Sequence, residues 1–593
     1  MAGLRYSQIA DTYERIESTS KRLEMTDLLV DLIRATPKEL LGKVAYLTQG
    51  KLYPDFVGIE TGIAEKTAIS AISKATGFTK EDVTKEWKRL GDLGLTAEEL
   101  LSKAATGRAK LVTPQPLTVE RVYDTFDKIA KISGEGAVEN KLKLLSEILT
   151  QASPKEARYI IRTVTGKLRL GIGDMTFLDA LAIAYGGGKE ARDLVERAYN
   201  MSSDLGMVAQ TLADRGLEGI KGFGITIGRP VRPMLCERLT SAQEVLAKLG
   251  GKGASEFKYD GLRIQAHISR QGISLFSRRL ENLTEQFPDV VNGLLESVNV
   301  EEAVVEGECV AVDPNTGEMR PFQVVTHRRG RKYDVKETAE EIPVVLFLFD
   351  ILYLNGKTLV DAPYEERRKA LESVVRETDS VKITHPEIVS DPERLNKLME
   401  EAVEAGCEGL VVKSLSRDSV YQAGARGFLW VKYKREYRSE LADTLDLVVV
   451  GAFAGRGRRA GTYGALLMAA YDEEMDTFKT VCKLGTGFSD EELASLPEVL
   501  KEYSTDHPHP RLDSTIKADF WFVPMKVLEV RGAELTLSPS HTCGFGVIRK
   551  DSGLAVRFPR FTGKWRDDKG PEDATTVKEI IEMYKSQLKR VKD

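Results

Sequence analysis

A lysine in a turn, two glutamates on one strand and two lysines on another carry the chemistry this chain can do. Lys258 stands in Glu256-Phe257-Lys258-Tyr259-Asp260-Gly261-Leu262-Arg263, where a strand should turn back on itself. Asp-Gly suits a tight turn, and a lysine beside it can simply be solvated. The other reading makes the amine a nucleophile. A free lysine has a pKa of about 10.4, so at about pH 7.4 roughly one molecule in a thousand carries the neutral amine. Lowering it by about three units corresponds to about 4 kcal/mol of differential interaction, which partial burial and nearby cations could supply.

Strand parity selects its neighbours. In Ala303-Val304-Val305-Glu306-Gly307-Glu308-Cys309-Val310, alternation puts Glu306 and Glu308 on one face, two carboxylates converging on one surface. In Trp430-Val431-Lys432-Tyr433-Lys434 it sets Lys432 beside Lys434, which is unfavourable unless an anion such as a phosphate lies across them. On an exposed edge strand, two such lysines could instead serve to discourage aggregation.

The elements that must hold these groups fall into three textures. From Tyr6 to about Gly216 apolar residues recur at helical spacing, as in Asp27-Leu28-Leu29-Val30-Asp31-Leu32-Ile33, and strand-like alternation is scarce. Gly222-Phe223-Gly224-Ile225-Thr226-Ile227-Gly228-Arg229-Pro230 reads as a linker. Beyond it β-branched runs alternate with helices: Gly261 to Arg270, Gly272 to Ser277, Ala303 to Val312, Pro343 to Leu354 and Gly409 to Val412. After Tyr437, five runs separated by turns (Leu445 to Ala452, Tyr463 to Tyr471, Phe478 to Leu484, Ala518 to Val530, Gly532 to Leu537) suit a small β-barrel of the OB-fold type. The fold expected is multidomain: all-α over 1–220, α/β over 221–436 and an OB-fold barrel over 437–593.

Composition narrows the class. At 593 residues the chain is too long for a single core, and no apolar run is long enough to span a bilayer. Five scattered cysteines form no CxxC pair and read as reduced cytosolic residues, so the expected localisation is cytoplasmic, nucleoid-associated if prokaryotic. A formal net charge of −5 argues mildly against nucleic acid as a bulk partner. Local clusters argue the other way: Arg158, Arg162, Lys167 and Arg169; His327-Arg328-Arg329-Gly330-Arg331-Lys332; and Arg456, Arg458 and Arg459. Each could be a solvated face, but three in one chain favour a polyanion.

The run around Lys258 resembles the KxDG motif of the covalent nucleotidyltransferases, which comprise ATP-dependent DNA ligases, RNA ligases and capping enzymes. Further motifs follow in family order: Ser277-Arg278-Arg279, Glu306-Gly307-Glu308, Phe347-Leu348-Phe349-Asp350-Ile351-Leu352-Tyr353, Cys407-Glu408-Gly409-Leu410-Val411-Val412-Lys413, Trp430-Val431-Lys432-Tyr433-Lys434 and Arg566-Asp567-Asp568-Lys569. Pro321-Phe322-Gln323-Val324 and Arg557-Phe558-Pro559-Arg560-Phe561 are similar to strings of the archaeal and eukaryotic replicative DNA ligases. The helical segment from Pro116 to Phe126 and the glycine-flanked stretch from Lys167 to Gly173 resemble that family's DNA-binding domain, which capping enzymes and small RNA ligases lack.

The resemblance implies that Lys258 attacks the α-phosphate of ATP, passes AMP to the 5′-phosphate of a nick and lets the 3′-hydroxyl displace it. It implies Mg²⁺, or Mn²⁺, held by Glu308 and Glu408. Glu256 and the Phe257 backbone would read adenine, and Phe349 would stack on it. Arg263, Arg278, Arg426, Lys432 and Lys434 would contact ribose or phosphates, the last two lowering the pKa of Lys258. Arg566 and Lys569 would orient pyrophosphate. By parity Lys413 faces away from Glu408 and stays outside this set. Arg158, Arg162, Lys167 and Arg169 are the DNA-binding candidates. Nicked double-stranded DNA is the implied partner of a monomer, and no clear Gln-x-x-aliphatic-x-x-Phe-Phe string marks a sliding-clamp contact. The alternatives are an RNA ligase, a capping-type guanylyltransferase, or a non-enzymatic DNA clamp with a decayed nucleotide site. An NAD-dependent ligase is disfavoured because no cysteine-rich zinc module follows the last motif.

Overall fold

The structure, a computed structural model, describes residues 3–107, 116–312, 319, 322–330, 334–405, 407–434, 444–455, 461–532, 534–538, 540–550, 552–557 and 559–589. Arg456, Arg458 and Arg459, the Arg331-Lys332 end of the second basic cluster, Pro321, Phe558 and the expected 436/437 boundary lie outside the described residues. The chain divides into two compact units, one of Met1–Thr84 with Leu93–Arg435 and one of Lys85–Asp92 with Glu436–Asp593. No helix among the described residues is long and apolar enough to cross a membrane.

In the first unit α-helices run from Tyr6–Glu17 to Leu205–Lys221, with no strand between them among the described residues. Local sequence explains their starts. Ser153 and Glu156 cap the helix Pro154–Val164 reciprocally, with proline at its first turn where no N–H is needed. The last helix breaks at Gly216, which takes φ +63°.

The α/β part is built from two sheets. The first has the order β1 (Leu235–Leu239), β11 (Arg426–Lys434), β10 (Gly409–Lys413), β2 (Gly253–Lys258), β9 (Glu387–Val389). The second has the order β4 (Gly272–Ser277), β3 (Leu262–Ser269), β5 (Glu302–Ala311), β6 (Val344–Leu354), β7 (Lys357–Thr358), with β8 (Val381–Ile383) beside β6. Val304 and Leu352 of the second sheet pack with Val411 and Trp430 of the first, so one core lies between the sheets. Helices cover the outer faces: Ala242–Lys248 and Pro392–Glu404 contribute to the core behind the first sheet, Pro288–Ser297 and Tyr364–Val374 to that behind the second. Near-continuous apolar runs such as β6 follow from burial on both faces. The Asp350 carboxylate inside β6 is tolerated because Arg367 donates to it at 2.8 and 3.1 Å, both side chains being fully buried.

The second unit corrects two expectations. Its main sheet has the order β15 (Ser504–Thr505), β17 (Phe520–Phe522), β12 (Leu445–Ala454), β13 (Tyr463–Asp472), β14 (Thr477–Leu484), β16 (Leu512–Asp513); β18 (Val527–Arg531) joins β12 to β21 (Arg560–Trp565). This is a curled, open sheet and not a closed OB barrel. Its two end strands are two residues long, too short to pair across the gap. The hairpin β19 (Glu534–Ser538) and β20 (Gly553–Arg557), with the helix Val577–Lys589, instead place Leu535, Leu554, Val577, Ile580 and Tyr584 in the same core. The run Ala518 to Val530 is two strands. Pro524 lies between them and has no N–H for the ladder, while both pieces pair with β12.

Candidate active site

Lys258 is the last residue of β2, and the following strand β3 belongs to the other sheet. The turn expected at Tyr259-Asp260-Gly261 therefore closes no hairpin; it carries the chain from one sheet to the other and leaves the lysine at the seam. Gly261 is needed for close approach, since a Cβ there would lie 2.4 Å from the Cys309 carbonyl and 3.0 Å from Glu308 Cγ.

Register explains what surrounds the amine. Gly409 of β10 pairs with Lys258 on one side and Lys434 on the other. It takes φ +138°, and a Cβ would fall 2.6 Å from the Tyr433 carbonyl. With no side chain between the two lysines, the preceding residue, Glu408, reaches both. Lys258 Nζ lies 2.6 Å from Glu408 Oε2, and Lys434 pairs with the same oxygen. Lys432, two residues back along β11, stands with Lys434 and the exposed Arg426 as a cationic group.

This arrangement reverses the expected electrostatics of Lys258. Burial acts to lower its pKa, but Glu408 and then Glu308 outweigh burial and raise it. Lys432 and Lys434 do not make the resting amine nucleophilic, because Lys434 is itself neutralised by Glu408. The depressed lysine is Lys432, through burial and its neighbours Lys434 and Arg426. Burial pushes the Glu408 carboxyl up, yet Lys258 and Lys434 bring it down to about 2. Glu308 goes the other way: burial raises it to about 8 against the pull of Lys258 and Arg263.

Among the described residues no group of three or more His, Cys, Asp or Glu side chains is arranged to hold a metal ion. Glu308 and Glu408 both act on the one ammonium, and Glu308 keeps its proton near neutrality unless positive charge arrives. Mg²⁺ characteristically takes one or two protein carboxylates and completes its shell with phosphate and water. The donor set fits a cation shared with a polyphosphate.

On the same face as Lys258, Glu256 is buried and takes three donors, which leaves Oε2 one further acceptor position. It accepts from Tyr364 Oη at 2.6 Å and Thr384 Oγ1 at 3.1 Å, and pairs with Lys413 Nζ at 3.0 Å. Lys413 also donates to the carbonyl of Phe349 at 3.0 Å and lies over that ring. Parity counted from Glu408 sets Lys413 aside. The count fails because Glu408 precedes the strand and Gly409 breaks the alternation, whereas Val411 opposite Glu256 puts Lys413 diagonally on its face. Tyr364 and Thr384 come from elements with no local signal in the sequence. Phe257 points to the opposite face and packs with the helices there, so only its backbone faces the Glu256 side.

Arg263 Nη2 donates to Glu306 at 2.7 Å and Nη1 to the Met234 carbonyl at 2.7 Å, and the guanidinium lies over Phe349 and Trp430. Arg278 is exposed beside it, on a loop where Leu280 takes φ +67°. The basic clusters are less available than their composition suggested. Arg158 pairs with Glu14 and Glu98, and Arg162 with Glu17, both mostly buried. Arg328 is buried on Asp289, and Arg329 pairs with Glu281. Lys167, 3.5 Å from Glu65, and Arg169 remain at the surface. In the second unit Arg566 donates to Asp446 and Asp568, and Lys569 to Asp446 at 2.7 Å.

Comparison with known proteins decides the family. A model described as "ATP dependent DNA ligase domain" matches residues 233–434; "DNA ligase N terminus" matches 5–182 and "ATP dependent DNA ligase C terminal region" matches 459–569. "DNA ligase 2" of Thermofilum pendens is 55% identical over 591 residues, 99% of this chain and 98% of its own. The chain belongs to the ATP-dependent DNA ligases. The "Probable DNA ligase" of Persephonella marina is 50% identical over 586 residues, 99% of each chain. A solved structure called Pmar-Lig_PreS3 aligns over 94% of this chain and 99% of its own with a TM-score of 0.53; at 17% identity that likeness concerns the fold alone. The ligase seals nicks in DNA by ATP-dependent adenylation. The match runs through the helical region, the part that separated this reading from an RNA ligase or a guanylyltransferase.

Proposed function

We propose that Lys258 is the residue that carries AMP, and that the chain works as three domains, 1–220 on DNA, 221–436 in nucleotidyl transfer and 437–593 in support of it. The observation that carries this reading is the Lys258 ammonium at the seam of two sheets, held by Glu408 with Lys434 on the same oxygen. Once Glu408 is drawn away from it, the Lys258 ammonium gives up its proton to solvent, and the neutral Nζ forms a bond to the α-phosphorus of ATP as the bond to the pyrophosphate oxygen breaks, the pyrophosphate leaving with that electron pair. The 5′-phosphate of nicked duplex DNA then takes the AMP, and the 3′-hydroxyl displaces it.

The protein's own groups divide the labour. Lys432, Lys434 and Arg426 line the route of the phosphates, and Arg263 and Arg278 meet ribose or phosphate. Glu256, held by Tyr364, Thr384 and Lys413, presents acceptors to the exocyclic amine of adenine; the Phe257 backbone and the Phe349 ring complete the base site. Glu308 and Glu408 would hold Mg²⁺, whose positive charge competes with the ammonium for the Glu408 carboxylate. Arg566 and Lys569 are engaged by Asp446, so their use on pyrophosphate requires those pairs to open. Lys167 and Arg169 are the better DNA contacts of the four named, because Arg158 and Arg162 are already paired.

Incubation with α-labelled ATP and denaturing electrophoresis tests the reading. Wild type should carry an acid-labile, alkali-stable adduct, and Lys258→Ala none; a normal adduct in that variant would overturn the assignment.

A further inference from the structure

Between the helical region and β1 the backbone of Val231 to Met234 is fastened to side chains of the α/β part. The Val231 N–H donates to Gln265 Oε1 at 2.7 Å, and Gln265 Nε2 returns a bond to the Val231 carbonyl at 3.1 Å. The Met234 N–H donates to Tyr421 Oη at 2.9 Å, and its carbonyl accepts from Arg263. These bonds meet at one carboxylate. Glu306 Oε1 accepts from Gln265 Nε2 at 3.2 Å, and Oε2 accepts from Arg263 Nη2 at 2.7 Å and Tyr421 Oη at 2.8 Å. Val231, Met234, Gln265, Glu306 and Tyr421 are all buried to 4% exposure or less.

The orientation of the Gln265 amide follows from its partners. Gly228 N–H donates to His267 Nδ1 at 3.2 Å, so the neutral imidazole carries its proton on Nε2 and donates it to Gln265 Oε1 at 2.9 Å. Turning the amide over would set its NH₂ against two donors. Glu306 accordingly has one fixed donor on Oε1, and its other oxygen is left to aim the Arg263 guanidinium.

We propose that Gln265 is a positioning residue for Arg263: it fixes the Glu306 carboxylate to the linker backbone at Val231, and so presets the guanidinium that meets the nucleotide. This rests on the reading of Arg263 as a nucleotide contact. The linker is then part of the nucleotide pocket's frame as well as a tether for the helical region.

The test is single-turnover adenylylation by the full-length protein over a range of ATP concentrations, read as KM and kcat separately. Arg263→Ala should raise KM; if it does not, the nucleotide-contact reading fails, whatever Gln265 does. Gln265→Met, which keeps the shape and loses the amide, should raise KM roughly tenfold, as for a lost hydrogen bond to a charged group. In an Arg263→Ala background it should add less than about twofold. Equal factors in both backgrounds, or a change confined to kcat, would show that Gln265 supports the fold generally and would overturn the proposal. Gln265→Glu sets a carboxylate against Glu306 and should raise KM more than Gln265→Met; wild-type behaviour would count against the proposal. If Gln265 variants fail to fold, Tyr421→Phe removes the other neutral donor to Glu306, and it too must lose its effect on KM when Arg263 is absent.

Discussion

Glu308→Gln separates the electrostatic account of the site from its shape. With a folded pKa of about 8 against an ordinary 4.5, burial being the cause, Glu308 holds its proton more tightly in the folded chain than in the unfolded one. The associated stability is fully present below about pH 4.5 and is lost as pH rises through the folded pKa of about 8. The full interval, about 3.5 units, corresponds to about 5 kcal/mol. Glu308 is partly exposed, so solvent screening reduces this to about 2 kcal/mol. Glutamine does not titrate. In chelator, thermal unfolding of Glu308→Gln and wild type should nearly coincide at pH 5, and by pH 9 the variant should unfold a few degrees higher. Added Mg²⁺ should then stabilise wild type and have much less effect on the variant, since it offsets the charge that the variant lacks. A difference that is flat from pH 5 to pH 9, or in which wild type gains on the variant as pH rises, would refute the buried-carboxylate argument.

Lys258→Ala should abolish the covalent adduct yet still seal nicked DNA that already carries a 5′-adenylate, assayed by gel on that substrate. Gly409→Ala should reduce adenylylation at least tenfold with nucleotide still bound, because a Cβ 2.6 Å from the Tyr433 carbonyl must displace the turn that delivers Glu408; an unaffected rate would show that the glycine serves only the strand. For nicked-duplex binding, the double change Lys167→Ala with Arg169→Ala should lower the slope of log affinity against log salt by roughly 2. Arg158→Ala should leave that slope alone and destabilise the protein by about 1 kcal/mol, as read in denaturant titration, since Glu14 keeps Lys155 at 2.6 Å and neither Glu14 nor Glu98 is buried.

Much of the fold was legible because its signals are local. Helical periodicity located the first third, and short β-branched and apolar runs bounded by turns located β3 to β6 and β12 to β14 within a residue or two. The misreadings arose where pairing is non-local. Pro524 divides a strand whose two halves are aligned only by β12, and barrel closure depended on end strands too short to meet. Basic residues read as a phosphate surface were in several cases already paired: Glu14, Glu17 and Glu98 lie far along the chain from Arg158 and Arg162, and no spacing rule connects them.

The ordered motifs named Lys258, both carboxylates and the lysines of β11, because the types of residue that phosphoryl chemistry needs are written in the chain itself. Their state was decided in three dimensions. That Lys258 ends one sheet as the next begins, that a glycine between two lysines admits Glu408, and that the resting amine is thereby held protonated are consequences of register between strands far apart in sequence. Charge depends on distance and burial, and neither is a property of the order of residues alone.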